Sequence, residues 1–197
     1  MIRYLYLVLL LCLNQSFAQN DLGIVKNNDQ ICIAKSSSIY CDVNYIHQYP
    51  NLCVAASTEI VLDYYGKRID QKDIKRYVDK INYKDNDSRL YTFLYFNEIV
   101  KTLNDYGFNW ETKTFSMRNF DEGLNFIINE LKNNRPIIIA TSFYGEHTVV
   151  VNGYSEKNKT IIITDPNLKE PGIRILSLNE FKKIWTSKGR HRSLIKT

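Results

Sequence analysis

The segment "HTVVVNGYSEKNKTIIITDP" at 147–166 constrains the fold of this chain more than any other stretch. Two runs rich in β-branched residues flank a polar turn at Ser155 to Asn158, the pattern of an antiparallel hairpin. Pro166 cannot continue a central ladder, so the second strand ends beside Asp165. Pairing Tyr154 with Asn158 sets Val151 opposite Ile161, Val149 opposite Ile163 and His147 opposite Asp165. Opposed residues on one face have Cβ atoms about 4.5–5.5 Å apart, which brings a carboxylate within reach of an imidazole. The expectation depends on the register, because a slip of one residue moves every side chain to the other face.

The rest of the chain places that hairpin in a larger plan. Helical spacing predicts helices near 53–65, 70–81, 93–106 and 120–133, and "RPIIIATSF" at 135–143 opens a strand-rich half. "SLNEFKKIW" reads as a helix capped by Ser177, with Glu180 three residues on. Helices first and sheet second predict an α+β fold with a cleft between the halves. At 197 residues the chain suits one well-filled domain. Tyr91, Phe93, Tyr95 and Phe96 are expected in the core, and "DNDSRLYTF" at 85–93 as a loop beside the cleft.

The first residues belong to a different class. Arg3 precedes an apolar run from Tyr4 to Leu13, and Ser16-Phe17-Ala18 follows, the layout of a secretory signal peptide cleaved after Ala18. Crossing a bilayer takes about 20 apolar residues, so no stable membrane insertion is expected once the segment is removed. The expected organisation is a signal peptide at 1–18, an N-terminal arm at 19–44 and one domain at 45–197. The mature protein is expected in the periplasm or outside the cell. Losing Arg3 lowers the formal charge from +5 to +4. The remaining basic residues are scattered except in "KGRHRSLIK", which reads as a solvated strand end, and nothing points to nucleic acid.

Export changes what the cysteines mean, because thiols outside the cytoplasm tend to be oxidised. Cys32 and Cys41 flank "IAKSSSIY", a loop that one bridge could close into a small hairpin. That pairing leaves Cys53 over, either as an inert buried thiol or as a reactive one. Asn51 is a good N-cap for the helix that follows, which sets Cys53 in the first turn. There, unpaired backbone N–H groups and the helix dipole favour a thiolate. Ala55, Ala56 and Ser57 would let this helix pack closely against a neighbouring layer.

A thiol nucleophile needs a base, and the base needs a group to hold its ring. Of the three histidines, His47 is adjacent to the loop before the helix and His191 lies in the basic tail. His147 alone has a carboxylate, Asp165, aligned with it. Attack on a carbonyl also places charge on its oxygen. The Cys53 N–H and the Gln48 side-chain amide are the candidate donors. The spacing provides for no metal or cofactor.

The ordered set Gln48, Cys53, His147 and Asp165 resembles that of papain-like cysteine peptidases. It is most similar to the bacteriocin-processing, double-glycine-leader branch and its stand-alone secreted relatives. The matching stretches are "QYPNLCVAASTEIVLDYYG", "HTVVVNGY" and "TIIITDP". Val54-Ala55 stands where the family commonly has Gly-Pro or a Trp after the Cys, which bears on substrate preference rather than on catalysis. No transporter or nucleotide-binding module is expected in a chain of this length. The resemblance implies a papain-like fold, hydrolysis of peptide bonds in a peptide or protein substrate, and a Cys53-His147-Asp165 triad with Gln48 as oxyanion donor. Peptidoglycan amide cleavage or transglutaminase-like acyl transfer would use the same residues. A secreted papain-like binding domain without turnover is the alternative of a different class.

Overall fold

The computed structural model describes residues 23–27, 30–35, 37–83, 94–186 and 191–197. The apolar N-terminal run and the polar stretch at 85–93 lie outside these residues. In chain order the elements are β1 (Gly23–Asn27), β2 (Gln30–Lys35), β3 (Ser38–Cys41), α1 (Cys53–Tyr64), α2 (Gln71–Tyr83), α3 (Phe96–Asp105), β4 (Glu111–Ser116), α4 (Phe120–Lys132), β5 (Ile137–Thr141), β6 (His147–Ser155), β7 (Thr160–Thr164), β8 (Ile173–Ser177), α5 (Leu178–Ile184) and β9 (His191–Lys196).

The strands form one antiparallel sheet in the order β1-β2-β3-β6-β5-β9-β4, with β7 on β6 and β8 on β7. Its central strands explain the unbroken apolar runs. Ile137 and Ile139 of β5, Val149 and Val151 of β6, and Leu194 of β9 pack with Leu124, Ile127, Leu131, Phe181 and Trp185 beneath α4 and α5. The alternate residues Ile138, Val150 and Ile195 pack on the opposite face with Ile60, Val61, Ile74, Val78 and Ile99 of α1, α2 and α3. A strand covered on both faces has no solvent side to show a polar alternation.

The four main predicted helices form within a few residues of their expected ends, and Ser177 caps α5 in a reciprocal box with Glu180. Several details differ. Asn51 adopts a left-handed backbone (φ 63), which asparagine tolerates, and the helix begins one residue later with Leu52 as its N-cap. Cys53 is therefore the first helical residue, still in the first turn as expected, and only the capping residue differs. The order of helices then sheet is also too simple. β3 joins the central strand β6 from the N-terminal side, and β4 sits between α3 and α4 as the edge next to β9. The described part of the basic tail, His191–Lys196, is an inner strand between β5 and β4, not a solvated end. Arg192 is buried, and its Nη1 donates to the Lys182 and Trp185 carbonyls. Tyr95 is exposed rather than in the core, and Phe96 is half-buried.

The 147–166 hairpin forms in another register. Ser155 pairs with Thr160 and Tyr154 with Ile161; after a bulge at Asn152, Val151 pairs with Ile163 and Val150 with Thr164. The turn is Glu156–Lys159, so the expected pairs of Val151 with Ile161, Val149 with Ile163 and His147 with Asp165 do not form. Continuing the observed register would set Asp165 beside Val149, two residues from His147. A two-residue shift leaves side chains on the same face, and diagonal neighbours about 7–8 Å apart are still bridged by long side chains. The bulge is tolerated because Asn152 Nδ2 donates to the Cys41 carbonyl (3.1 Å) while its Oδ1 accepts from Thr164 Oγ1 (3.4 Å).

Candidate active site

Cys53 stands at the start of α1, and α1 is pinned to β6 where Ser57 Oγ donates to the Thr148 carbonyl (3.1 Å). Ala55, Ala56 and Ser57 are fully buried, so small side chains bring the helix close to the strand. His147 is the first residue of β6, at the end of the sheet that this helix start meets. Its Nε2 lies 2.7 Å from Asp165 Oδ1, and the ring is also hydrogen-bonded to the Cys53 thiol. With Nε2 engaged by the carboxylate, Nδ1 is the nitrogen left for sulfur.

The electrostatics follow from these contacts. Burial pushes the Cys53 thiol up, but the hydrogen bond and charge of His147 and hydrogen bonds from Thr148 outweigh it and hold the pKa below its ordinary value. Burial pushes His147 down, yet its bonds to Asp165 and Cys53 raise it to about 9. Asp165 is fully buried, which alone would raise it; His147, the Asn167 N–H and Arg174 reverse the direction and hold it below the usual carboxylate range. A thiolate beside an imidazolium, with a carboxylate behind, is the protonation state this arrangement favours.

Arg174 and Tyr144 were not visible as site residues in the sequence. Arg174 Nε donates to Asp165 Oδ2 (2.7 Å) and its Nη2 donates to the Tyr144 hydroxyl (2.8 Å), while the guanidinium lies 4.5 Å from the centre of the Phe143 ring. The Tyr144 ring meets the His147 ring edge-on at 5.6 Å. Only the burial of Asp165, which needs a second cation-side partner, could have drawn attention to a basic residue on the following strand. The two other histidines lie apart from the Cys53–His147 contact. His47 Nδ1 pairs with the Tyr45 hydroxyl (2.8 Å) and the Leu168 carbonyl (3.2 Å), and His191 of β9 is among the residues that line the cleft.

Gln48 lies in the loop ahead of α1. Its backbone N–H donates to the Pro166 carbonyl (2.9 Å), which ties this loop to the one carrying Asp165. Its side-chain Oε1 is buried and meets no partner among the described residues. Tyr45 closes the same junction, with its hydroxyl on the Leu168 carbonyl and its ring against Gly172. Gly172 has φ +67, and a Cβ there would lie 2.4 Å from the Tyr45 ring and 2.9 Å from the Asp165 carbonyl. Gly172→Ala should therefore cost about 1–3 kcal/mol from overpacking and backbone strain. The check is the urea midpoint, which should fall without a change in slope.

Cys53 and His147 open onto a cleft of about 300 Å³. Its lining mixes apolar Val54, Leu94 and Phe96 with polar groups that include Thr112 and Thr114 of β4 and His191 and Ser193 of β9. Among the described residues no three His, Cys, Asp or Glu side chains gather as a metal site, and no helix is long and apolar enough to cross a membrane.

A helix-borne thiol facing a strand-borne imidazole, with a carboxylate from the loop just past the next strand behind it, on an α+β scaffold with helices on both faces of an antiparallel sheet, defines a papain-like cysteine peptidase. The model of the Peptidase_C39 like family matches residues 40–193, and the chain belongs to that family. No curated protein matches the chain. Among solved structures, the peptidase domain of Streptococcus ComA, a bi-functional ABC transporter involved in a quorum-sensing pathway, superposes with a TM-score of 0.50. It is 20% identical, over 77% of this chain and 95% of that one. UfSP from C. elegans superposes with a TM-score of 0.53 at 11% identity, over 94% of this chain but 39% of its own length. These likenesses are of fold. The enzyme is a cysteine-type peptidase, a hydrolase.

Proposed function

We propose that the protein is an exported peptidase in which Cys53 is the nucleophile, His147 the acid and base, Asp165 the ring-orienting carboxylate, and Gln48 with the Cys53 N–H the oxyanion donors. The observation that carries the reading is the 2.7 Å bond between His147 and the buried Asp165, with the same imidazole hydrogen-bonded to a thiol at a helix start. Cys53 Sγ attacks the carbonyl carbon of a peptide bond, and the charge moves to its oxygen. The C–N bond then breaks as His147 passes its proton to the leaving amine, and the acyl group stays on sulfur as a thioester. Water, deprotonated by His147, attacks the thioester; the acid leaves and the thiolate–imidazolium pair is restored. The Cys53 N–H is one of the first four of its helix, which have no intrahelical partner.

Peptide and protein chains are the substrates this chemistry takes. The cleft beside the thiol, with its mixed apolar and hydroxyl-bearing lining, would receive residues flanking the scissile bond. Export rests on the pattern of residues 1–18 and agrees with the cysteines. β2 and β3 pair with Cys32 directly opposite Cys41, a register that supports a bridge between them. Cys53 is the one free thiol among the described residues. The test is to incubate protein beginning at Gln19 with a mixed peptide pool and read new termini by mass spectrometry. Cleavage at a restricted set of bonds is expected. A pool left intact at every pH from 5 to 9 would contradict the proposal.

A further inference from the structure

The loop that carries Gln48 is held from below by a side chain the reaction itself does not use. Gln71, the first residue of α2, is 2% exposed. Its Oε1 accepts from the Tyr49 N–H (2.8 Å), and its Nε2 donates to the His47 carbonyl (3.0 Å). The amide thus bonds the backbone immediately before and immediately after Gln48, as a neighbouring strand would. Glu59 of α1 completes the arrangement: its Oε2 accepts from Gln71 Nε2 (3.2 Å) and from the Gln71 N–H (3.0 Å).

The direction of the Gln71 amide follows from its neighbours. One side faces a carbonyl and a carboxylate, which only accept; the other faces an N–H, which only donates. Turning the amide over would set oxygen against two oxygens and NH2 against N–H. The loop is therefore anchored to α1, the helix that begins at Cys53, through Glu59 and Gln71, and to the loop of Asp165 through the bond from Gln48 N–H to Pro166. Meanwhile the Gln48 Oε1 is buried without a partner among the described residues, so none of their contacts to that oxygen sets its side chain's direction. Its placement comes from its backbone.

We propose that Gln71 is a positioning residue for the oxyanion site: by clamping the backbone on both sides of Gln48, it aims the Gln48 amide at the oxygen of the tetrahedral intermediate. The inference rests on the reading of Gln48 as an oxyanion donor. It predicts that Gln71 acts through Gln48 and not through the thiol.

Two reactions of Cys53 separate these roles. Iodoacetamide alkylates the thiolate by displacing iodide and forms no oxyanion. p-Nitrophenyl acetate acetylates it: sulfur attacks the ester carbonyl, the C–O bond breaks and p-nitrophenolate leaves, passing through an oxyanion. The measured quantity is the ratio of the second-order constants for acetylation and alkylation, in protein beginning at Gln19. Q48A should lower the ratio on the order of 10²-fold. Q71M, which keeps the volume and loses the bonds, should lower it about tenfold or more with alkylation within about twofold of wild type. The double variant Q48A/Q71M should match Q48A alone, because a clamp without its donor has nothing to aim. If Q71M does not fold, E59Q takes its place, with a reduction of about threefold expected once the charge that orients the amide is gone.

An unchanged ratio in the Gln71 variant, or in E59Q in its stead, would overturn the inference. So would losses that multiply in the double variant, or alkylation falling in parallel with acetylation. An unchanged ratio in Q48A is a different failure: it removes the donor reading on which the clamp depends.

Discussion

Cys53→Ala should abolish peptide cleavage, lowering kcat/KM by at least ~10³-fold, while the far-ultraviolet circular dichroism stays that of the wild type. The reason is chemical. Alanine fills most of the same buried position at the start of α1, so the packing against β6 survives, but no acyl-enzyme can form. His147, Asp165 and the cleft remain, and their unassisted activation of water is expected to be too slow to register. The measurement is the appearance of new peptide termini over hours, with wild type and variant at equal concentration. Cleavage by the variant at even a tenth of the wild-type rate would place the nucleophile elsewhere.

The second large effect is expected at Asp165, and Arg174 decides its form. In Asp165→Asn, Oδ1 can still accept from His147 and from the Asn167 N–H, but Nδ2 then points at Arg174 Nε–H, donor against donor. Asparagine is thus a poor substitute here although it is nearly isosteric. Without the carboxylate, His147 loses the main support that raises its pKa to about 9, and the burial that opposes its charge prevails. The Cys53 thiol then rises as the imidazolium beside it is lost. Activity at neutral pH should fall on the order of 10²-fold. Asp165→Ala should in addition destabilise the fold by about 3–5 kcal/mol, as expected when one partner of a buried ionic cluster is removed.

The pH dependence has a definite sign. Asp165 has a folded pKa below its unfolded value, so its contribution to stability is complete above about pH 4 and is lost as pH falls through the depressed value. Asp165→Asn should remove that acid-limb dependence. On the alkaline side, the proton held by His147 is the one Cys53 has given up. Folded and unfolded pairs each bind one proton between about pH 6.5 and 8.5, so stability is insensitive to this pair there. Urea denaturation across pH 2–8 reads both statements.

Particular residues show what the sequence could reveal. The pairing of His147 with Asp165 was legible although its register was not. Valines fill both faces of β6 and isoleucines fill both faces of β7, so the apolar pattern has no preferred slip, and nothing in "VVVNGYS" announces a bulge at Asn152. The observed shift preserved the shared face, and the two side chains reached each other. Cys53 at a helix start was legible from the small residues after it and from the helical spacing. β4 was not, because "ETKTFS" is a short edge strand with a mostly exposed polar face. β9 was misread because Arg192 looks like a surface charge until its guanidinium is seen among backbone carbonyls. Arg174 and Gln71 carry no sequence signal of their own. Their significance depends on Asp165 and the Gln48 loop being where the fold brings them.

The most direct test of the account is the rate of iodoacetamide labelling of Cys53 against pH, in the wild type and in His147→Ala. The account predicts fast labelling that persists below neutral pH and stays level to about pH 9, where the imidazolium loses its proton. In His147→Ala, burial acts on the thiol without its counterion, and labelling should be slow and rise only near or above pH 8.5. Slow wild-type labelling with a midpoint near pH 8.5, unchanged by the substitution, would contradict the thiolate–imidazolium pair and the mechanism built on it.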